Sequence, residues 1–163
     1  MKNRLLAAIV GLCLASPAYA DTAQMVRDGI AACFQNDTSP RNARKALQEI
    51  GWKSQGIEED LWVFFAPNRK GIAAINSASY DKDGCVFGVK DMSVAQSKIL
   101  AESIVKEMFG KSAKIAPASE LENTDVVMAW YGKSQHTKAG ITVSKYMNFP
   151  NVYRGSIIAV LFK

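Results

Sequence analysis

The chain has 163 residues, with 20 Lys and Arg against 15 Asp and Glu, for a formal net charge of +5. So mild a balance lacks the strongly basic signature of nucleic-acid binding, and no segment supplies the roughly 20 apolar residues of a membrane-spanning helix. The length suits one domain with a proper core.

Lys2 and Arg4 precede an uncharged run from Leu5 to Ala15, and Ser16-Pro17-Ala18-Tyr19-Ala20 ends in a small-x-small pattern. This is the three-part layout of a secretory signal peptide, so residues 1–20 are expected to be cleaved and the mature chain to start at Asp21. Cys13 does not mark a lipoprotein site, because the bulky Leu12 stands where such sites want a small residue. The shortness of the signal points to the periplasm, with full secretion as the alternative. Residues 21–163 are expected to form a single domain carrying 18 basic and 15 acidic side chains, a balance of +3.

Val26, Ile30, Cys33 and Phe34 fall on one face of a helix over about Asp21 to Gln35. Ser39-Pro40 opens a second helix and Gly51 stops it, with Ala43, Leu47 and Ile50 between. Leu61–Ala66 is apolar on both faces and predicts a covered strand. Pro67-Asn68-Arg69-Lys70-Gly71 then turns the chain into a second strand, Ile72–Tyr80. After a turn at Asp81–Gly84, Cys85, Phe87 and Val89 alternate onto the apolar face of a third strand. Ser93 and Gln96 form a capping box for a third helix, whose stripes Leu100-Ile104-Met108 and Ala101-Val105-Phe109 end at Gly110. Lys111–Thr124 reads as a connection around Pro117. Three further strands follow at Asp125–Tyr131, Ile141–Met147 and Gly155–Phe162, the last apolar on both faces and therefore central. The expected fold is α+β, ααβββαβββ in order, with a mainly antiparallel sheet of about six strands and three helices. Cys33 and Cys85, the two cysteines left after cleavage, both face the core and are expected to form one disulfide.

No catalytic or metal signature withstands inspection. Gly110-Lys111-Ser112 and Gly132-Lys133-Ser134 lack the upstream glycine of a phosphate-binding loop, with Val105 and Val127 in its place. Asp81-x-Asp83-Gly84 lacks the distal ligands of a calcium loop. His136 is the only histidine and lies in a polar hairpin loop, and Glu58-Glu59-Asp60 reads as a solvated turn. No cofactor is expected.

Two features point to a partner instead. Val126–Lys163 contains no acid, while Lys133, Lys138, Lys145, Arg154 and Lys163 make it basic. The connection before the last strand carries Phe149 and Tyr153 beside Arg154, residue types enriched at binding hot spots. Lys133, Lys138, Lys145, Phe149, Tyr153 and Arg154 are therefore the expected interaction surface. The function expected is that of a non-enzymatic binding or protein-interaction module, of inhibitor, immunity or envelope accessory type. Its partner would be an envelope protein or an anionic envelope component, with no nucleic acid and no membrane span. One alternative is a small-molecule or lipid carrier with a pocket between helix and sheet, lined by Trp52, Trp62, Phe64 or Trp130. Another is an enzyme of unrecognised type.

Overall fold

The computed structural model describes residues 17–36, 39–58, 60–76, 84–90, 92–133, 138–145 and 155–162. Helix α1 (Pro17–Phe34) begins four residues before the expected start and runs through the Ala20–Asp21 junction. Helix α2 (Pro40–Glu49) is built as its sequence demands. The Ser39 hydroxyl accepts from the Asn42 amide, Pro40 needs no donor partner at the first position, and Gly51 (φ 92°) takes the left-handed stop. Helix α3 (Val94–Phe109) carries the full capping box, in which Ser93 accepts from the Gln96 amide and Gln96 accepts from the Ser93 amide.

Strands β1 (Lys53–Glu58), β2 (Leu61–Phe65), β3 (Gly71–Asn76) and β4 (Cys85–Lys90) form one antiparallel meander. A 3₁₀ turn at Gly110–Ser112 and the short β5 (Lys114–Ile115) lead to a one-turn helix, α4 (Ala118–Leu121). Strands β6 (Val126–Lys133), β7 (Lys138–Ser144) and β8 (Gly155–Phe162) complete a second meander. The two meanders join where β4 pairs with β8, giving the order β1-β2-β3-β4-β8-β7-β6-β5. The expected class and the central position of the last strand hold. The described strands number eight rather than six and the helices four rather than three. The additions are β1, β5 and α4. Edge strands need no apolar alternation, and β1 spells Lys-Ser-Gln-Gly-Ile-Glu, almost all exposed. Of the expected strand Ile72–Tyr80, the part beyond Asn76 lies outside the described residues.

Helices α1, α2 and α3 all lie on one face of the sheet. There Val26, Ile30, Leu47, Phe64, Phe87, Ile104, Ile141, Val143, Ile158 and Val160 form one core. Phe34 packs edge-to-face on Phe109 and on Phe162, at 5.6 Å between ring centroids in each pair. The disulfide joins Cys33 of α1 to Cys85 of β4, both fully buried. In the chain-entropy picture, closing a loop of about 50 residues stabilises the fold by roughly 4 kcal/mol. Among the described residues, no long helix lies on the opposite face. Val63, Ile72 and Ala74 make a smaller buried cluster there, with Leu61 and Phe65 packed beside it.

Candidate basic cleft on the helix-free face

The ladder places Lys53, the first residue of β1, directly across from Phe65, the last of β2. Side chains alternate along a strand, and Phe65 is opposite Ile72, so both Phe65 and Lys53 project from the helix-free face. Lys90 at the end of β4 shares that parity with Gly88, the cross-strand partner of Ile72. Its amide donates to the Lys70 carbonyl and carries the ladder one step further. The β2–β3 connection is a tight turn. The Arg69 amide donates to the Ala66 carbonyl, the Ala66 amide to the Gly71 carbonyl, and the Lys70 amide to the Asn68 side chain. Arg69 sits in it at φ 57°, a left-handed conformation that glycine adopts with less strain.

These elements enclose a cleft of about 450 Å³, lined by Lys53, Gln55, Phe65, Ala66, Pro67, Arg69 and Lys90. Three cations, a side-chain amide and an aromatic ring converge there, and no carboxylate is among the described lining residues. The arrangement suits an anionic group. Arg69 offers a planar fork of donors, Lys53 and Lys90 offer mobile ammonium groups, and Phe65 offers an apolar wall. No motif in the sequence announces this site, because its cations come from three elements with Glu58 and Asp60 between them.

The expected surface in the C-terminal third is distributed differently. Lys133 and Lys138 are cross-strand partners at the tip of the β6–β7 ladder, both exposed and on the helix-free face. Lys145 is at the other end of β7, where its amide donates to the Asp125 carbonyl. At about 3.3 Å per residue, that is roughly 23 Å from Lys138. Phe149, Tyr153, Arg154 and His136 lie outside the described residues. The register adds a lysine that sequence reading missed: Lys114 of β5 faces Tyr131 of β6 on the same side as Lys133. Tyr131 donates to the Glu120 carboxylate at 3.1 Å. Desolvation, followed by this bond and the Glu120 charge, raises the Tyr131 pKa above the usual phenol value.

Three of the four aromatic residues named for a pocket between helix and sheet are packed into the core between them. Trp52, Phe64 and Trp130 are buried in the helix-side core, Trp52 edge-to-face with Phe87 at 5.8 Å. Trp62 is half-buried beneath the Arg44 guanidinium, 5.1 Å from the ring centroid. None of the four lines the basic cleft. Among the described residues no group of three or more His, Cys, Asp or Glu is placed to hold a metal ion, and no helix is long and apolar enough to cross a membrane. Comparison of the chain with protein-family models, with curated proteins and with solved structures finds no match.

Proposed function

We propose that the chain is an exported, non-enzymatic binding module, periplasmic in its working location, whose recognition site is the cleft of Lys53, Arg69 and Lys90 around Phe65. Its partner is an anionic component of the envelope. One observation carries the reading: cations from three separate elements converge on a concave site, with no acid among its described lining residues. The turn also keeps an arginine at φ 57°, where glycine is less strained, and strained backbone concentrates at functional sites. The signal-like residues 1–20 and the Cys33–Cys85 bridge fit an oxidising compartment.

A small-molecule carrier is the second reading. It draws on the same cleft, because Phe65 continues into the apolar strip of Leu61, Val63 and Ile72.

Titration with tripolyphosphate, a compact polyanion, tests the site. Amide shifts should concentrate near Lys53, Arg69 and Lys90, weaken with salt and vanish in Lys53→Glu/Lys90→Glu. Shifts spread evenly over all lysines would sink the proposal. An anionic amphiphile that outcompetes tripolyphosphate and shifts Leu61 and Val63 would favour the carrier. Protein recovered from the exporting host should have the mass of a chain starting at Asp21.

A further inference from the structure

The lysines of the basic cleft stand at its two sides. Lys53 on β1, Phe65 on β2, Ile72 on β3 and Gly88 on β4 form one cross-strand row, and Lys90 lies two residues further along β4. With strands about 4.8 Å apart and residues about 3.4 Å apart, the Lys53 and Lys90 backbones are separated by on the order of 15 Å. Both side chains nevertheless line the same cleft. Between them the Phe65 ring, Ala66 and Pro67 are uncharged, and Arg69 borders the cleft from the β2–β3 turn. The volume of about 450 Å³ falls within the roughly 300–1,000 Å³ of small-molecule sites. Liquid water takes about 30 Å³ per molecule, so one carboxylate or phosphate group fills only a small part of that space. A compact anion seated at one lysine leaves the other facing it across an apolar floor.

We infer that the cleft takes an elongated dianion, a small molecule with two carboxylate or phosphate groups on the order of 10–15 Å apart, joined by an uncharged and partly apolar body. This rests on the reading of the Lys53 cleft as an anion site and gives that site its ligand class. Lys53 holds one end and Lys90 the other, each a point charge on a flexible stem that adjusts to the anion it meets. The body lies along Phe65, whose ring offers it an apolar wall. Once one end is bound, the other reaches its lysine within the same complex, at an effective concentration set by the length of the body. A ligand with a single charge gains only one of the two contacts.

The test uses the full chain and the linear dicarboxylates succinate, suberate and sebacate, with monomethyl sebacate as a singly charged control of the same length. Titration calorimetry at low salt reads each affinity. Sebacate should bind about 10-fold or more tighter than either succinate or monomethyl sebacate, with suberate between. Lys53 and Lys90 are both exposed, so Lys53→Gln and Lys90→Gln should keep the native circular dichroism. Each alone should bring sebacate down to the level of its monomethyl ester. Lys98→Gln/Lys106→Gln removes charge from α3 and should keep the gain. Equal or undetectable binding of sebacate and its monomethyl ester overturns the two-ended ligand. So does a gain that survives Lys53→Gln or Lys90→Gln, or one that falls as far in Lys98→Gln/Lys106→Gln. Tripolyphosphate tells that failure from the other. If it still shifts the amides near Lys53, Arg69 and Lys90, the cleft stands as an anion site and only the ligand class is lost; if it does not, the reading of the cleft is overturned as well.

Discussion

The Ser97 hydroxyl donates to the Ser156 hydroxyl in the buried space between α3 and β8. The direction follows from the next link, because Ser156 donates its own proton to the Met92 carbonyl at 2.9 Å. Both side chains are buried, so the chain of bonds has no water to fall back on. Ser156→Ala orphans the Ser97 hydroxyl and the Met92 carbonyl and should cost about 1–3 kcal/mol. Ser97→Ala leaves the bond to Met92 intact and should cost about 1 kcal/mol or less. Urea unfolding of the two variants compares them directly; equal losses would contradict the assigned direction.

The disulfide gives a second expectation. Cys33 and Cys85 are fully buried, so mild reductant should leave the bridge intact until denaturant opens the core. Once reduced, the protein should lose roughly 4 kcal/mol of stability, a large share of the 5–15 kcal/mol of an ordinary domain. Unfolding midpoints with and without reductant, with mass spectrometry to confirm the linked peptides, measure both points.

At Gly132, α3 approaches the sheet closely. A Cβ built there would lie 2.3 Å from Cγ of Phe109, inside the ring that also packs on Phe34. Gly132→Ala should force that ring to move and cost about 1–3 kcal/mol, the usual range for overpacking a core. Adding Phe109→Leu to Gly132→Ala should return part of the loss relative to the sum of the single variants, which a double-mutant cycle reads. Strict additivity would show that the two do not meet.

Tyr131 provides the pH-dependent expectation. Its folded pKa is raised, by desolvation first and then by Glu120, so ionisation is disfavoured in the folded state. The associated stabilisation is fully present below the ordinary tyrosine pKa near 10 and is lost as pH rises through the higher folded value. The chain has five tyrosines. The ultraviolet titration of wild type minus Tyr131→Phe therefore isolates this one. Its midpoint should lie above 10 and fall in Glu120→Ala.

What the sequence disclosed depended on periodicity. Helix α3 was legible because Ser93, Gln96 and two apolar stripes agree, and the Cys33–Cys85 pair because helix and strand spacing turn both inward. Strand β1 was not, since an exposed edge strand of Lys53 to Glu58 has no buried face to impose alternation. The basic cleft escaped for a related reason. Counting charge along the chain finds the acid-free run after Val126, but only the ladder brings Lys53, Lys90 and Arg69 to one end of the sheet. The same ladder joins Lys133 to Lys138 and leaves Lys145 at the far end.

The place of β8 has a consequence for how the protein is made. Its partners are β4, reached across a long span of sequence, and β7, so Val160 must find Cys85 before the two meanders become one sheet. Pairings of such large sequence separation are slow to form, because the loop entropy is lost before the contacts return it. Until Gly155–Phe162 has emerged from the ribosome, β4 and β7 each present an open edge and the sheet cannot close. The two meanders therefore become one sheet only once Gly155–Phe162 is there to bridge them.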